Sequence, residues 1–84
     1  MNKKYTTIQH TREYTAVLEP AEEGGYVVHI PALPGCATQG ETVEEALFLA
    51  QDAIKGYLAV MKEIVGVSPE EPQGAIIAKV PIAV

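Results

Sequence analysis

This chain of 84 residues has no tryptophan, one phenylalanine, one aspartate and one cysteine. The single Cys36 excludes an internal disulfide and suits a reducing compartment. No apolar run is long enough to span a membrane, and no apolar segment of a signal peptide follows the N-terminal charges. We therefore expect a cytoplasmic protein with a single domain, 1–84, and a small core of aliphatic side chains.

Basic residues are also few, since six Lys and Arg face eleven Asp and Glu, and the net charge is −5. Lys3, Lys4 and Arg12 lie within the first twelve residues, which contain no acid. The rest of the chain is strongly acidic, so it should repel nucleic-acid phosphates and attract a basic protein. The simpler alternative is that this acidity only keeps the protein soluble.

Residue sets that could carry catalysis are missing. The one aspartate, Asp52, falls opposite the apolar stripe of a predicted helix, and the predicted strands have no acids inside them. His10, His29 and Cys36 lack the spacing of a metal site. Cys36 follows a turn and has no helix N-terminus or basic neighbour to activate it. We expect no catalytic residue, no metal, no cofactor and no enzymatic activity.

The hydrophobic pattern predicts an α+β domain of order β-β-β-α-β, a mostly antiparallel sheet with one long helix on one face. The first two strands should form a hairpin with a loop longer than the minimum. Pro31 ends the second strand, and Pro34-Gly35 suits a turn. The predicted strands are residues 14–18, 26–30, 36–39 and 75–80.

The helix is predicted from Thr42, as a capping box with Glu45, to a stop at Gly66. In the box, Thr42 accepts from the Glu45 N–H and Glu45 reaches back to the Thr42 N–H. Phe48 falls off the apolar stripe, which indicates a partner surface or cover by another segment. The stripe comprises Val43, Ala46, Leu47, Ala50, Ala53, Ile54, Tyr57, Leu58, Met61, Ile64 and Val65.

Two further surfaces could bind partners. The sheet face away from the helix should carry Thr15, Val17, Val27 and His29, a semi-apolar set that makes dimerisation through it plausible. Residues 1–12 are polar and irregular, which fits either a flexible arm or a longer first strand.

Specific residues then identify a family resemblance. They are a tyrosine and a Gly-Gly-Tyr before the second strand, a Pro-x-Leu-Pro-Gly turn, and a Gly-x-Thr-x-x-Glu-Ala helix start. With this spacing the chain resembles the HicB antitoxins, partners of HicA-type toxins. The signature positions of the turn and cap are Pro31, Leu33, Pro34, Gly35, Gly40, Thr42 and Glu45.

The resemblance implies a partly degenerate ribonuclease H-like fold and a non-catalytic protein that binds a toxin and masks its RNA-cleaving site. HicA-type toxins are small, basic RNA-binding proteins that act through a histidine, so an acidic partner suits them. A homodimer or tetramer is expected. For toxin contact the sequence suggests the loop residues Glu22 and Glu23 and the helix residue Phe48.

Two departures from the family pattern limit what is carried over. Ala32 stands where the family often has an aspartate. Many members also have a C-terminal DNA-binding domain, whereas here the last predicted strand is followed by Val84, so direct DNA binding is not expected. The alternatives are an orphan module without a toxin, or a weak nucleic-acid binder that uses the basic N-terminal arm.

Overall fold

A computed structural model describes residues 11–84. Three antiparallel strands, β1 (Val17–Pro20), β2 (Tyr26–His29) and β3 (Ala37–Gly40), precede one long helix, α1 (Val43–Ile64). The strand order is β1-β2-β3, so β1 and β3 are the two edges of this sheet. The α+β class and the antiparallel hairpin are confirmed.

The observed register of the β1–β2 hairpin agrees with the predicted faces of the two strands. Leu18 lies opposite Val28, and both pack in the core beneath the helix. Alternation along a strand sends Val17 and Val27 to the other face, where both are half-buried. β1 begins three residues later than predicted, because Tyr14 and Ala16 pack against the core without joining the ladder.

The core is short and lies under the first half of α1. The helix packs mainly on β3 and, to a lesser extent, on β2. Strands of four residues are about 13 Å long, whereas the 22 residues of α1 extend about 33 Å. The last turns of the helix, where Val60 and Ile64 are exposed, therefore extend beyond the core. The buried residues are Val28, Ile30, Leu33, Cys36, Ala46 and Ala50.

Both ends of α1 are set by local chemistry. The Glu45 N–H donates to Thr42 Oγ1 at 3.0 Å, as predicted. The carboxylate of Glu45 instead accepts from the Glu41 N–H at 2.5 Å, so the reciprocal bond lies one residue before the predicted one. Gly66 has φ 86° and donates to the Met61 carbonyl at 3.2 Å, which confirms the predicted stop.

The predicted last strand at 75–80 is not formed in this chain. A strand needs a neighbour to exchange backbone hydrogen bonds, and residues 75–84 join none of β1 to β3. Every one of these ten residues is exposed.

Residues 12–15 and 68–71 lie side by side and join the start of β1 to the segment after the helix; we call this contact the terminal clamp. Arg12 donates to the Ser68 hydroxyl at 2.7 Å and to its carbonyl at 3.3 Å. The same guanidinium lies 3.4 Å from the Glu70 carboxylate. The Arg12 charge is thus engaged within the chain.

Two further contacts complete the terminal clamp. The Tyr14 hydroxyl donates to the Pro69 carbonyl. The Thr15 N–H and hydroxyl donate to the two carboxylate oxygens of Glu71 at 2.6 and 2.5 Å. These hydrogen bonds favour the ionised carboxylate and lower the pKa of Glu71.

The lowered pKa makes the terminal clamp acid-sensitive. The Glu71 contact should be complete above the ordinary glutamate pKa of about 4.3. It should weaken as the pH falls through the lower pKa of the folded state, because the protonated carboxyl accepts poorly. Hydrogen exchange of the Thr15 amide, followed by NMR between pH 6 and 2, should show protection lost in that range.

Two variants separate this contact from general acid effects. Glu71→Ala should leave the Thr15 amide exposed at every pH. Glu63→Gln, which changes an exposed glutamate on the helix, should keep the wild-type profile. An unchanged Thr15 amide down to pH 2 would contradict the assignment.

Candidate partner-binding surface

Gly40 marks the point where β3 comes closest to the helix. A Cβ on Gly40 would lie 2.6 Å from the Ala46 nitrogen and 2.8 Å from the Ala46 Cα. Real Cβ atoms do not approach backbone so closely, so only glycine fits there. This explains the glycine of the signature in physical terms: it lets a strand run directly against the first turn of α1.

The β1–β2 loop also packs against the end of β3, and a second glycine allows this contact. We call Gly25 and Gly40, with the start of α1 that they approach, the glycine junction. A Cβ on Gly25 would lie 2.5 Å from the Gly40 carbonyl oxygen and 3.3 Å from the Glu41 Cα. Gly25 also has φ 77°, a conformation that other residues rarely adopt. The loop, the end of β3 and the start of the helix therefore meet at one end of the molecule.

Five exposed glutamates lie at this end, and one of them, Glu45, is occupied in capping the helix. Glu22 and Glu23 come from the β1–β2 loop, and Glu41 and Glu44 come from the connection and the first turn of α1. We call these four residues the acidic end. The sequence suggested Glu22 and Glu23, but it did not show that Glu41 and Glu44 share their surface. The sequence feature that could have indicated this shared surface is the pair of glycines Gly25 and Gly40, whose close approach brings the two segments together.

Phe48 lies next to the acidic end on the helix surface. It is one turn after Glu44, and residues four apart share a helix face. Its side chain is 65% exposed, as the helical pattern predicted, and the neighbouring Leu47 is 42% exposed. An exposed aromatic ring bordered by carboxylates is typical of a protein-binding surface.

The signature turn is a structural element with an exposed tip. Leu33 is fully buried, its N–H donates to the Ile30 carbonyl at 2.9 Å, and its carbonyl accepts from Cys36 at 2.9 Å. Pro34 and Gly35 are exposed at the tip. Leu33 thus anchors the connection from β2 to β3. Of the other signature residues, Pro31 is exposed and Thr42 and Glu45 cap the helix, so none of them forms a reactive group.

Cys36 is not built as a nucleophile. It is buried, and burial raises the pKa of its thiol. His29 is exposed and has its Nε2 3.3 Å from the Glu19 carboxylate. Its partner is therefore a surface glutamate.

Within residues 11–84, no three His, Cys, Asp or Glu side chains lie together in a way that could hold a metal ion. No helix in this part of the chain is long and apolar enough to cross a membrane. Lys3, Lys4 and His10 lie outside the described residues.

Comparison with known proteins gives a consistent family. Residues 14–79 match the model of the HicB-like antitoxins of bacterial toxin–antitoxin systems. This match includes both glycines of the junction, the acidic end, Phe48 and the signature turn.

Individual relatives agree with the family match. A UPF0150 protein of Thermoplasma acidophilum is 47% identical over 51 residues, which cover 61% of this chain and 74% of that protein. Antitoxin HicB 1 of Photorhabdus laumondii is 56% identical over 41 residues, 49% of this chain and 26% of that protein. Antitoxin HicB of Escherichia coli K12 is 51% identical over 41 residues, 49% of this chain and 30% of that protein. The matched region is thus a small part of both HicB antitoxins.

The glycine junction gives a direct test of the geometry. Gly40→Ala should lower the free energy of unfolding by about 1–3 kcal/mol, because the added methyl must displace the backbone of α1. Urea titration followed by circular dichroism measures the change.

Gly56→Ala is the matched control. Gly56 lies within the helix, and a Cβ there meets no atom within 4 Å. This variant should be more stable than the wild type by about 0.5–1 kcal/mol, because alanine favours the helix over glycine. Equal effects of the two substitutions would mean that the close approach at Gly40 has no energetic consequence.

Proposed function

The chain belongs to the HicB-like antitoxins of bacterial toxin–antitoxin systems, and we propose that it neutralises a HicA-type toxin by direct contact. In this proposal it is a cytoplasmic, non-catalytic binding module that covers the RNA-cleaving site of the toxin. The acidic end and Phe48 form the contact surface. The observation that carries the proposal is that two acidic segments, the β1–β2 loop and the start of α1, meet through the approach of Gly25 to Gly40, with the exposed Phe48 one turn along the helix from Glu44.

Charge supports the direct contact. A HicA-type toxin is expected to be small and basic because it binds RNA. The acidic end presents Glu22, Glu23, Glu41 and Glu44 from two segments held together by backbone contact. Such a surface can occupy the site that RNA phosphates would take, and opposite charges speed the encounter.

Phe48 supplies the apolar part of the contact. A purely ionic contact exposed to solvent adds little affinity, whereas a buried aromatic ring often contributes most of the binding free energy. The ring stands on a rigid helix one turn from its capped start. Little ordering is therefore needed when it enters a pocket on the partner.

The competing nucleic-acid function receives less support. Of the three cations near the N-terminus, Arg12 is held by Ser68 and Glu70 within the chain. A guanidinium already engaged in this way would have to leave its partners before it could bind phosphate.

Binding to a HicA-type toxin tests the proposal. The probe is such a toxin made inactive by replacing its histidine. Isothermal titration calorimetry should show a complex with the wild type. Glu22→Lys with Glu23→Lys should weaken it at least roughly 10-fold, since charge reversal places like charges opposite each other. Phe48→Asp should weaken it by a similar factor.

Glu63→Lys is the control, since it reverses one charge near the other end of α1. It should retain wild-type affinity. The absence of any complex with the wild type would refute toxin neutralisation, and an equal loss with Glu63→Lys would refute the assignment of the surface.

A further inference from the structure

The C-terminal tail, residues 75–84, is an apolar segment without a place in its own fold. Ile76 is 86% exposed, Val80 is 75% exposed and Ile82 is 71% exposed. The tail contributes no residue to the core cluster. Apolar side chains gain free energy when they leave water, so an exposed run of this kind marks a surface that another element covers.

The tail has the pattern of a β-strand. Ile76, Ala78 and Val80 would share one face of a strand, with Ile77 and Lys79 on the other. Gly74 with φ 80° precedes this pattern and Pro81 follows it, and both residue types typically bound strands. One face is wholly apolar, and the other carries a single charge.

The edge at β1 offers the matching surface. β1 is an outer strand of the sheet, with a row of backbone groups facing away from β2. Its Leu18 faces the core, whereas Glu19 is exposed. Tyr57 and Leu58 of α1 pack against the core cluster but are only half-buried. An added strand with one apolar face would extend the apolar side of the sheet next to Leu18.

We propose that two copies of this chain exchange their C-terminal tails, each tail pairing as a strand with the outer edge of β1 in the other copy. The terminal clamp holds residues 68–71 beside the start of β1, so each tail leaves its own body close to that edge. Beyond the clamp, Pro72 restricts the backbone and Gly74 redirects it, and the tail forms no ladder with its own β1. Reciprocal exchange fills both edges and gives a closed dimer.

Charge favours one facing of the exchanged strand. With Ile76, Ala78 and Val80 turned to the partner's core, Lys79 lies on the same side of the sheet as Glu19. Opposite charges on neighbouring strands stabilise pairing. The alternative facing would place Lys79 under the helix, where a charge without a partner is costly. This inference concerns self-association and does not depend on the identity of the toxin.

Light scattering after size-exclusion chromatography tests the exchange. The full chain should have the mass of a dimer, and a chain that ends at Gly74 should have the mass of a monomer. Ile76→Asp with Val80→Asp should give the same loss without shortening the chain. Phe48→Asp, which changes another exposed apolar site away from the tail, should remain dimeric. Circular dichroism should show that the helix is retained in each variant.

A charge exchange shows whether pairing occurs between copies. Lys79→Glu and Glu19→Lys should each weaken the dimer several-fold, measured as its dissociation constant by sedimentation. Mixing the two variants should restore wild-type affinity, because each tail then meets an opposite charge on the other copy.

Three outcomes would overturn the proposal. A monomeric full chain would exclude any exchange. A dimer that survives removal of the tail would place the interface elsewhere, for example on the sheet face with Val17 and Val27. No recovery on mixing, together with amides 76–80 that are protected in a monomer, would show that the tail folds back on its own chain.

Discussion

The contact between Gly40 and Ala46 is the constraint on which the rest of the molecule depends. Because no side chain separates the end of β3 from the first turn of α1, the helix begins only three residues after the strand ends. The Thr42 cap satisfies the backbone at this start, and the small residues Ala46 and Ala50 let the helix lie close to the sheet. The same closeness brings the β1–β2 loop against Glu41, and so the acidic end follows from the packing.

A close start on a small sheet leaves the last turns of the helix without support. Within residues 11–84, the six buried residues all fall in the range 28–50, so the described fold is stabilised mainly by its middle third. A chain of this length buries a modest fraction of its surface. Ile64 and Val65 are 76% and 57% exposed, although their spacing continues the core stripe. The amphipathic pattern of α1 is thus longer than the sheet available to cover it, and the apolar tail is a segment of matching character that the described fold leaves unused.

The features that could be predicted from the sequence are those set by neighbouring residues. The cap at Thr42, the stop at Gly66, the exposure of Phe48 and the facing of Leu18 each depend on short-range geometry, and all are confirmed.

The terminal clamp could not be predicted, because Arg12 and Ser68 are 56 positions apart and polar surface residues have no periodicity. The tail shows the same limit. Its strand pattern is clear, but a strand also requires an edge to pair with, and the local pattern does not state which chain supplies it. Only half of the acidic end could be predicted, for a related reason. Glu22 and Glu23 were suggested by the sequence, whereas Glu41 and Glu44 join them only through the approach of Gly25 to Gly40.

The two proposed binding surfaces, the acidic end and the C-terminal tail, lie on different parts of the molecule, and this separation matters for function. The acidic end is formed at the start of α1, whereas the tail leaves from the terminal clamp beyond its other end. Tail exchange therefore leaves the acidic end open, and a dimer presents two of them. A partner that offers two sites would meet both copies at a raised effective concentration, so self-association would strengthen binding to such a partner without any new contact. The small core, which makes one copy incomplete, would in this way be what couples assembly to binding.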